Sequence, residues 1–308
     1  VHDQNEYRRF YPAGEMASHI VGFTGDRDVG QEGIELTQQE WLGGKPGSRR
    51  VIINRRGDVV EDVESIRAPQ AGRELSLAID ARLQYLAFRE LKAAVDLHKA
   101  KAGGLVILDA QTGEILALAN WPTYNPNARN RVARERMRNR ALTDVFEPGS
   151  TLKPFTIAAA LESGAVRPNT VIQTAPGSLT LGPNTIHDAH PHGALTVEQV
   201  IEKSSNVGAA KIALSLPSAT LWQMLSDSGF GTAPNTGFPG EVAGRLRPAK
   251  TWKPIEQATM AYGHGISVTL IQLARAYQVF ARDGDLVPLS LARLDAPPLA
   301  GKRVFSAQ

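Results

Sequence analysis

The residues whose types and spacing could do chemistry lie in Phe146-Glu147-Pro148-Gly149-Ser150-Thr151-Leu152-Lys153-Pro154-Phe155. Pro148-Gly149 signals a turn. Phe155, Ala158, Ala159 and Leu161 then continue a helix predicted over 151–163, with Gly164 as its C′ residue. Pro154 is tolerated in the first turn, where its missing N–H has no partner to lose. Ser150 and Lys153 are three apart and share a helix face. An amine beside a hydroxyl at a helix start can take the hydroxyl proton, and the positive end of the helix favours the charge that results. Taken alone, the pattern is first of all that of an N-cap serine and a solvated lysine. The balance shifts with a second element downstream, Ser204-Ser205-Asn206 within Ile201–Gly208.

S-x-x-K followed by an S-D-N-type triplet is the motif order of serine β-lactamases and penicillin-binding proteins. Longer strings extend the match: Tyr11-Pro12-Ala13-Gly14, His19-Ile20-Val21-Gly22-Phe23-Thr24, Gln31-Glu32-Gly33-Ile34-Glu35, Asp80-Ala81-Arg82-Leu83-Gln84, Pro122-Thr123-Tyr124-Asn125-Pro126 and Ala261-Tyr262-Gly263-His264-Gly265-Ile266-Ser267-Val268-Thr269. Through them the chain resembles the class B penicillin-binding proteins, D,D-transpeptidases that cross-link bacterial peptidoglycan, and within them the division-specific penicillin-binding protein 3 group. The resemblance covers nearly the whole chain.

It implies an α+β transpeptidase domain, an antiparallel sheet with helices, preceded by a smaller, mostly β pedestal module. It implies acyl transfer from a D-Ala-D-Ala stem peptide, with Ser150 attacking the penultimate D-Ala carbonyl. Lys153 would accept the serine proton, which requires a neutral amine and hence a desolvated or like-charged setting. Ser204 would relay a proton to the leaving nitrogen, and Asn206 would hold the substrate amide, a task suited to a side chain with both donor and acceptor. A β-lactam would imitate the donor and leave a long-lived ester on Ser150. No cofactor or metal is implied. Implied partners are a division glycosyltransferase and other divisome proteins; the implied place is the bacterial inner membrane with the catalytic domain in the periplasm.

Two departures stand out. No Lys-Thr-Gly or Lys-Ser-Gly occurs. Lys250-Thr251-Trp252 has the wrong third residue and precedes Tyr262-Gly263-His264-Gly265, whereas the family's third motif follows that string. The transpeptidase domain is therefore expected to be C-terminally incomplete at Ser306-Ala307-Gln308, lacking the strand that binds the substrate carboxylate and supplies one oxyanion N–H. His264 stands where relatives commonly have Tyr.

At 308 residues the chain has room for a full core and more than one folding unit. It is 42% hydrophobic, and no stretch nears the roughly eighteen apolar residues of a membrane span, so neither a span nor a signal peptide is expected. The resemblance implies an anchoring helix upstream of this chain. With no cysteine, thiolate and disulfide chemistry are excluded. The net charge of +3 owes much to Arg129, Arg131, Arg134, Arg136, Arg138 and Arg140. Clustered arginines can neutralise phosphates, but no aromatic interleaves these, and the reading is a solvated loop or helix face with no nucleic-acid partner; some could line the approach of an anionic substrate.

Residues 1–70 read as the separate pedestal module and 71–308 as the transpeptidase domain. In the first, Arg8-Arg9-Phe10-Tyr11-Pro12 is extended, Glu35 to Trp41 forms a short helix, and Arg50–Asn54 and Asp58–Val63 form a hairpin around Arg55-Arg56-Gly57. After the linker Ala68–Gly72, residues 74–80 alternate as a strand with Leu75, Leu77 and Ile79 on one face. Asp80 caps a helix over 81–97, with Leu83, Leu86, Leu91 and Ala94 as its apolar positions. Leu105–Leu108 and Glu114–Leu118 form a second hairpin around Asp109–Gly113. Helices are predicted at 196–204, 207–215, 218–228 and 269–283. Trp41, Trp121, Trp222 and Trp252 read as packing residues. His187, Asp188, His190 and His192 have the residue types of a zinc site, but their Pro/Gly-rich setting reads as a loop at the active-site rim. Glu147, a formal candidate for general base, reads as a buried structural carboxylate.

Three function classes follow: the D,D-transpeptidase, a serine β-lactamase that must activate a deacylating water, and a non-catalytic scaffold or β-lactam-sensing module. The module 1–70 and the long family strings favour the first.

Overall fold

At the centre of residues 71–308 the hairpin Gly103–Leu108/Ile115–Trp121 pairs antiparallel, as its sequence predicts. The computed structural model describes residues 9–25, 28–57, 59–129, 131–296 and 301–307; Arg8, Asp58 and Gln308, which the readings above include, lie outside these. Asp109 closes the hairpin loop, its Oδ1 accepting from the N–H groups of Gln111 and Thr112 at 2.8 and 2.9 Å. Gly103 and Gly104 point to opposite faces, as neighbours in a strand must. A Cβ on Gly103 would come 2.9 Å from Leu91 and Val95, and one on Gly104 would come 3.2 Å from Leu270. The hairpin is therefore sandwiched between the helices Ala81–Leu97 and Leu270–Ala281, a helix–sheet–helix arrangement.

Both helices begin where the sequence signals. Asp80 accepts from Arg82 N and Leu83 N, and Thr269 with Gln272 forms a reciprocal capping box. The buried face of Ala81–Leu97 differs from the expected one: Gln84, Ala87, Leu91 and Val95 are buried, while Leu86 and Ala94 are exposed. The cause is Gln84. Its Oε1 accepts from Leu118 N at 2.8 Å, and its Nε2 donates to Leu118 O at 2.9 Å and Met16 O at 2.7 Å. Three hydrogen bonds from one buried amide outweigh the burial of one more leucine.

The strand predicted at 74–80 is extended but joins no sheet. Its partner is the irregular segment around Leu291, reached through Ala78 N to Leu291 O at 2.8 Å and Arg293 N to Ser76 O at 3.0 Å. Leu75, Leu77 and Ile79 nonetheless pack together against the core built on Ile115 and Leu118.

The helical half comprises Lys153–Glu162, Val197–Glu202, Asn206–Leu214 and Ser218–Asp227, all near their predicted places, and Pro254–Met260, which the sequence reading missed although Pro254 is a good helix start. Phe155, Val200, Ile212, Leu221, Leu225, Phe230 and Met260 fill its core, with Phe155 and Phe230 edge to face at 5.3 Å.

In residues 1–70 the hairpin Ser48–Ile53/Val59–Arg67 forms as predicted. The predicted helix 35–41 is two short ones, Gly33–Thr37 and Gln39–Leu42, broken at Gln38. With Gly14–Met16 and Ser18–Val21 the described part of this module carries short helices beside its strands. Ile20 and Ile34 share a core with Ile115, Leu118 and Leu142. Polar ties join the same surfaces: Tyr124 Oη donates to Ser18 O at 3.0 Å, and His19 Nε2 lies 2.7 Å from Arg136 O.

The arginine run is not a plain solvated face. Arg129 stacks on the Phe23 ring at 4.2 Å, and Arg138 and Arg140 share Asp144 at 2.7 and 2.9 Å. Of the tryptophans, Trp121 and Trp252 pack against core clusters. Trp41 instead is 43% exposed under the Arg73 guanidinium, its Nε1 donating to Glu74 O. Among the described residues no helix is long and apolar enough to cross a membrane.

Candidate active site

Pro148 precedes a 3-10 turn, Gly149–Leu152, that runs straight into the helix Lys153–Glu162. Ser150 is exposed on the turn, and its N–H belongs to the first turn, where backbone donors have no intrahelical partner. Lys153, one turn on, is 1% exposed.

The second element sits between two helices, and each of its residues has a separate backbone task. The helix Val197–Glu202 ends in a Schellman motif: Ser204 N donates to Ile201 O and Ser205 N to Val200 O, both at 3.0 Å. The C′ position of that motif is Ser204, with φ +54°, where glycine is usual. Ser205 is the N-cap of Asn206–Leu214 and accepts from Gly208 N at 2.8 Å. Asn206 is that helix's first residue. The left-handed turn at Ser204 aims both its carbonyl and its hydroxyl at one point.

Lys153 Nζ occupies that point. It lies 2.7 Å from Ser150 Oγ, 2.7 Å from Ser204 O, 2.9 Å from Ser204 Oγ and 2.9 Å from Asn206 Oδ1. The Asn206 amide is oriented from behind, because Nδ2 donates to His187 O at 3.1 Å, which turns Oδ1 toward the lysine. As a neutral amine, Lys153 can give its two N–H groups to the acceptor-only oxygens Ser204 O and Asn206 Oδ1 and turn its lone pair to one of the two hydroxyls at a time. Burial favours that form, lowering the Lys153 pKa from 10.5 to about 8, with the charge of Asp188 opposing the shift. Nζ also lies 6.0 Å from the Tyr262 ring centroid.

The third side is the turn Tyr262-Gly263-His264-Gly265. Gly263 has φ +84°, and a Cβ there would fall 2.3 Å from Gly149 O and 2.5 Å from Gly149 N. Only glycine lets this turn approach the Gly149 backbone, next to Ser150, so closely. Strand pairing continues the contact, Val268 with Phe146 and Thr269 with Val145. Glu147 is exposed rather than buried: its Oε1 accepts from Gly265 N at 2.8 Å, so its role is to hold the turn from the solvent side.

The structure thus gathers Ser150, Lys153, Ser204 and Asn206 around one nitrogen. It adds groups that sequence reasoning had passed over or read otherwise. Asp188, read as part of a histidine-rich rim loop, accepts from Ser205 Oγ and Val207 N. Gly263 was visible only as part of a longer string, although Gly-x-Gly beside an aromatic is itself a signal of close backbone approach. His187 ends the strand Asn184–His187 rather than lying in a loop, and its carbonyl accepts from Asn206 Nδ2. Among the described residues no group of three or more metal-ligating side chains is gathered. Lys250 and Thr251 lie in a separate 3-10 turn, Ala249–Thr251.

An exposed serine, a buried amine with a lowered pKa and a second hydroxyl on that amine can form and break an acyl ester. Comparison with known proteins agrees. Residues 103–308 match the penicillin binding protein transpeptidase domain, and residues 1–77 match the penicillin-binding protein dimerisation domain. The chain is 44% identical over 304 residues to the probable peptidoglycan D,D-transpeptidase PenA of Neisseria gonorrhoeae, covering 98% of this chain and 52% of that protein. It is 45% identical over 305 residues to the peptidoglycan D,D-transpeptidase FtsI of Escherichia coli, covering 99% and 51%. The chain spans about half the length of these relatives. Among solved structures it is similar to the transpeptidase domain of Burkholderia pseudomallei penicillin-binding protein 3, with a TM-score of 0.69 and 49% identity over 75% of this chain and 66% of that one. On these matches the chain belongs to the penicillin-binding protein transpeptidase family.

Proposed function

We propose that the protein is a peptidoglycan D,D-transpeptidase that cross-links stem peptides during septal wall synthesis through an acyl-enzyme on Ser150. The observation that carries the reading is the single Lys153 Nζ within 2.9 Å of Ser150 Oγ, Ser204 Oγ and Asn206 Oδ1. Lys153 takes the Ser150 proton as Oγ attacks the penultimate D-Ala carbonyl. The Ser150 N–H supplies a donor to the developing oxyanion. As the C–N bond breaks, the proton passes from Lys153 through the Ser204 hydroxyl to the leaving nitrogen, and D-alanine departs. An amine of a second stem peptide then attacks the ester; its proton returns along the same path to Ser150 Oγ. Asn206, fixed through His187 O, presents its amide to the substrate backbone. A β-lactam enters as a donor mimic, and its opened ring stays tethered to the ester.

A β-lactamase would need a general base aimed at a water above that ester. Glu147, the carboxylate nearest Ser150 in sequence, is exposed and engaged by Gly265 N–H, which disfavours that reading. Residues 1–70 serve as the pedestal and 71–308 as the transpeptidase domain. The similarity to FtsI, together with the location of the substrate, supports a periplasmic site of action and partners among the division proteins, a glycosyltransferase included.

The test is labelling of the intact protein with a fluorescent penicillin, followed by peptide mapping. The label is expected on Ser150. A Ser150→Ala protein that still labels would end the proposal.

A further inference from the structure

Asp188 stands at the end of the hairpin Ser178–Leu181/Asn184–His187, just outside the cluster around Lys153. Its two carboxylate oxygens are used separately. Oδ2 accepts from Ser205 Oγ at 2.8 Å, and Oδ1 accepts from Val207 N at 2.9 Å. Ser205 is 1% exposed and Val207 is fully buried. Ser205 Oγ in turn accepts from Gly208 N, so the carboxylate fixes the proton of the residue that caps the helix behind it. The neighbouring residue His187 contributes its carbonyl to Asn206 Nδ2. Two adjacent residues of the hairpin therefore hold Ser205, Asn206 and Val207. Among the described residues, Ser204 is gripped by the end of its own helix and by Lys153, in a backbone conformation that a serine adopts under strain.

Resting on the transpeptidase reading above, we propose that Asp188 is a positioning residue of the acylation step: its carboxylate clamps the Ser204–Asn206 turn against Lys153 and keeps a fixed negative charge behind that amine. The clamp explains why a strained turn stays in place. The charge sets how readily the amine holds a proton. A lysine base must be neutral to take the Ser150 proton yet must keep that proton long enough to deliver it to the leaving nitrogen, and a pKa close to the working pH serves both steps. Burial lowers the Lys153 pKa, and the Asp188 charge limits the fall.

The other ionisable groups around the amine are few. On its own loop is Glu147, exposed and bonded to Gly265 N. On the facing turn are Tyr262, whose phenol burial pushes up, and His264, which lies edge-on to it at 5.1 Å. Beside the second element are His187 and Lys203, the latter paired with Glu202 at 2.6 Å. Among them, Asp188 is the carboxylate inserted between the hairpin and the second element.

Asp188→Asn separates the proposal from a merely structural role. The amide is isosteric and its oxygen still accepts from Val207 N, but the charge is gone and Ser205 loses the acceptor for its proton. The measurement is the second-order rate of acylation of the intact protein by a fluorescent penicillin between pH 6 and 10. The expected result is a plateau lower by about 10- to 100-fold, as for a misplaced reacting group, together with a midpoint moved toward acid by about half a unit or more. The sign is fixed, because removing a negative charge disfavours the ammonium. Loss at every pH with the wild-type midpoint would overturn the charge role. Ser205→Ala keeps the charge and removes one clamp bond; it is expected to lower the plateau without an acid shift, and a wild-type plateau would overturn the clamp, whatever the solubility of Asp188→Asn. Absence of acylation in the wild type itself would instead refute the transpeptidase reading, so the two failures are distinguishable.

Discussion

Burying Lys153 has a stability consequence that can be measured without any substrate. The amine titrates at about 8 in the folded protein against 10.5 for an ordinary lysine. Below pH 8 both states carry the proton, and the native state bears the full desolvation penalty, about 3 kcal/mol for a shift of this size. Between pH 8 and 10.5 the unfolded chain binds more protons than the native one, so stability rises with pH across that window. Working the two titrations through, the penalty shrinks by about 1 kcal/mol between pH 7 and 9. The perturbation that isolates this group is Lys153→Met, which keeps the stem and removes the amine. Both proteins carry the other titrating groups, so those cancel in the difference between them. The assay is denaturant unfolding of both proteins at pH 7 and pH 9, followed by tryptophan fluorescence. The wild type is expected to gain on the methionine variant by about 1 kcal/mol at the higher pH. At either pH the variant also loses the hydrogen bonds to Ser204 O and Asn206 Oδ1, a nearly constant offset that leaves the pH trend intact. A difference that stays level, or that moves in favour of the variant, would refute the desolvated amine and with it the case for Lys153 as a base.

The same amine predicts the pH dependence of catalysis: acylation by penicillin should rise about tenfold per pH unit below 8 and level off above it, and Lys153→Arg should not acylate, since arginine holds its proton throughout; a rate that falls above pH 8 would assign the lysine a purely electrostatic role. Ser204→Gly and Ser204→Ala both remove the hydroxyl and should slow acylation alike, but only glycine relieves the φ of +54°, so the glycine variant should be more stable than the alanine one by about 1 kcal/mol in denaturant unfolding; equal stabilities would contradict the strain. Gly263→Ala would bring a Cβ to 2.3 Å from Gly149 O and should both destabilise the fold and slow acylation, read by unfolding midpoints and penicillin labelling; wild-type labelling in a folded variant would show that the close approach does not position Ser150.

Sequence spacing made the candidate nucleophile legible because Ser150 and Lys153 are local: three residues on one helical turn fix their relation before any tertiary structure is known. Helix ends were legible for the same reason. Asp80 and Thr269 cap through their own side chains, and the first was read from its chemistry alone. What spacing could not show was any choice made by a distant partner. Leu86 lost its place in the core to Gln84 because the backbone of Leu118 offered two hydrogen-bonding groups to an amide. Residues 74–80 alternate like a strand and pack like one, yet whether a ladder forms is decided by the irregular chain near Leu291. Pro148-Gly149 beside Glu147 suggests a buried structural carboxylate, but its partner, Gly265 N–H, lies far along the chain and faces solvent. Asp188 was hidden among three histidines whose residue types suggested metal chemistry, and only the fold shows that its contacts are a serine hydroxyl and a backbone N–H.

The resemblance singled out Ser204-Ser205-Asn206 as a motif, and the structure supplies a physical reason for its compactness. A helix must end and another begin within three residues, so each residue is forced into one backbone role: C′, N-cap and first helical position. Serine suits the N-cap, where its oxygen accepts a backbone N–H. Asparagine at the first position projects its amide back over the turn, where a hairpin carbonyl can orient it. Only the C′ position conflicts with its residue, since glycine would fit the left-handed backbone better. The conflict is local and small, on the order of 1 kcal/mol, and it yields a geometry that glycine could not: a carbonyl and a hydroxyl from one residue, 2.7 and 2.9 Å from the same amine. The carbonyl holds the amine in place while the hydroxyl can pass a proton from it. On the proposed reading, the lysine, the Ser204 hydroxyl and the Asn206 amide are already oriented in the free protein. Preorganisation of this kind is where a strained residue is worth keeping.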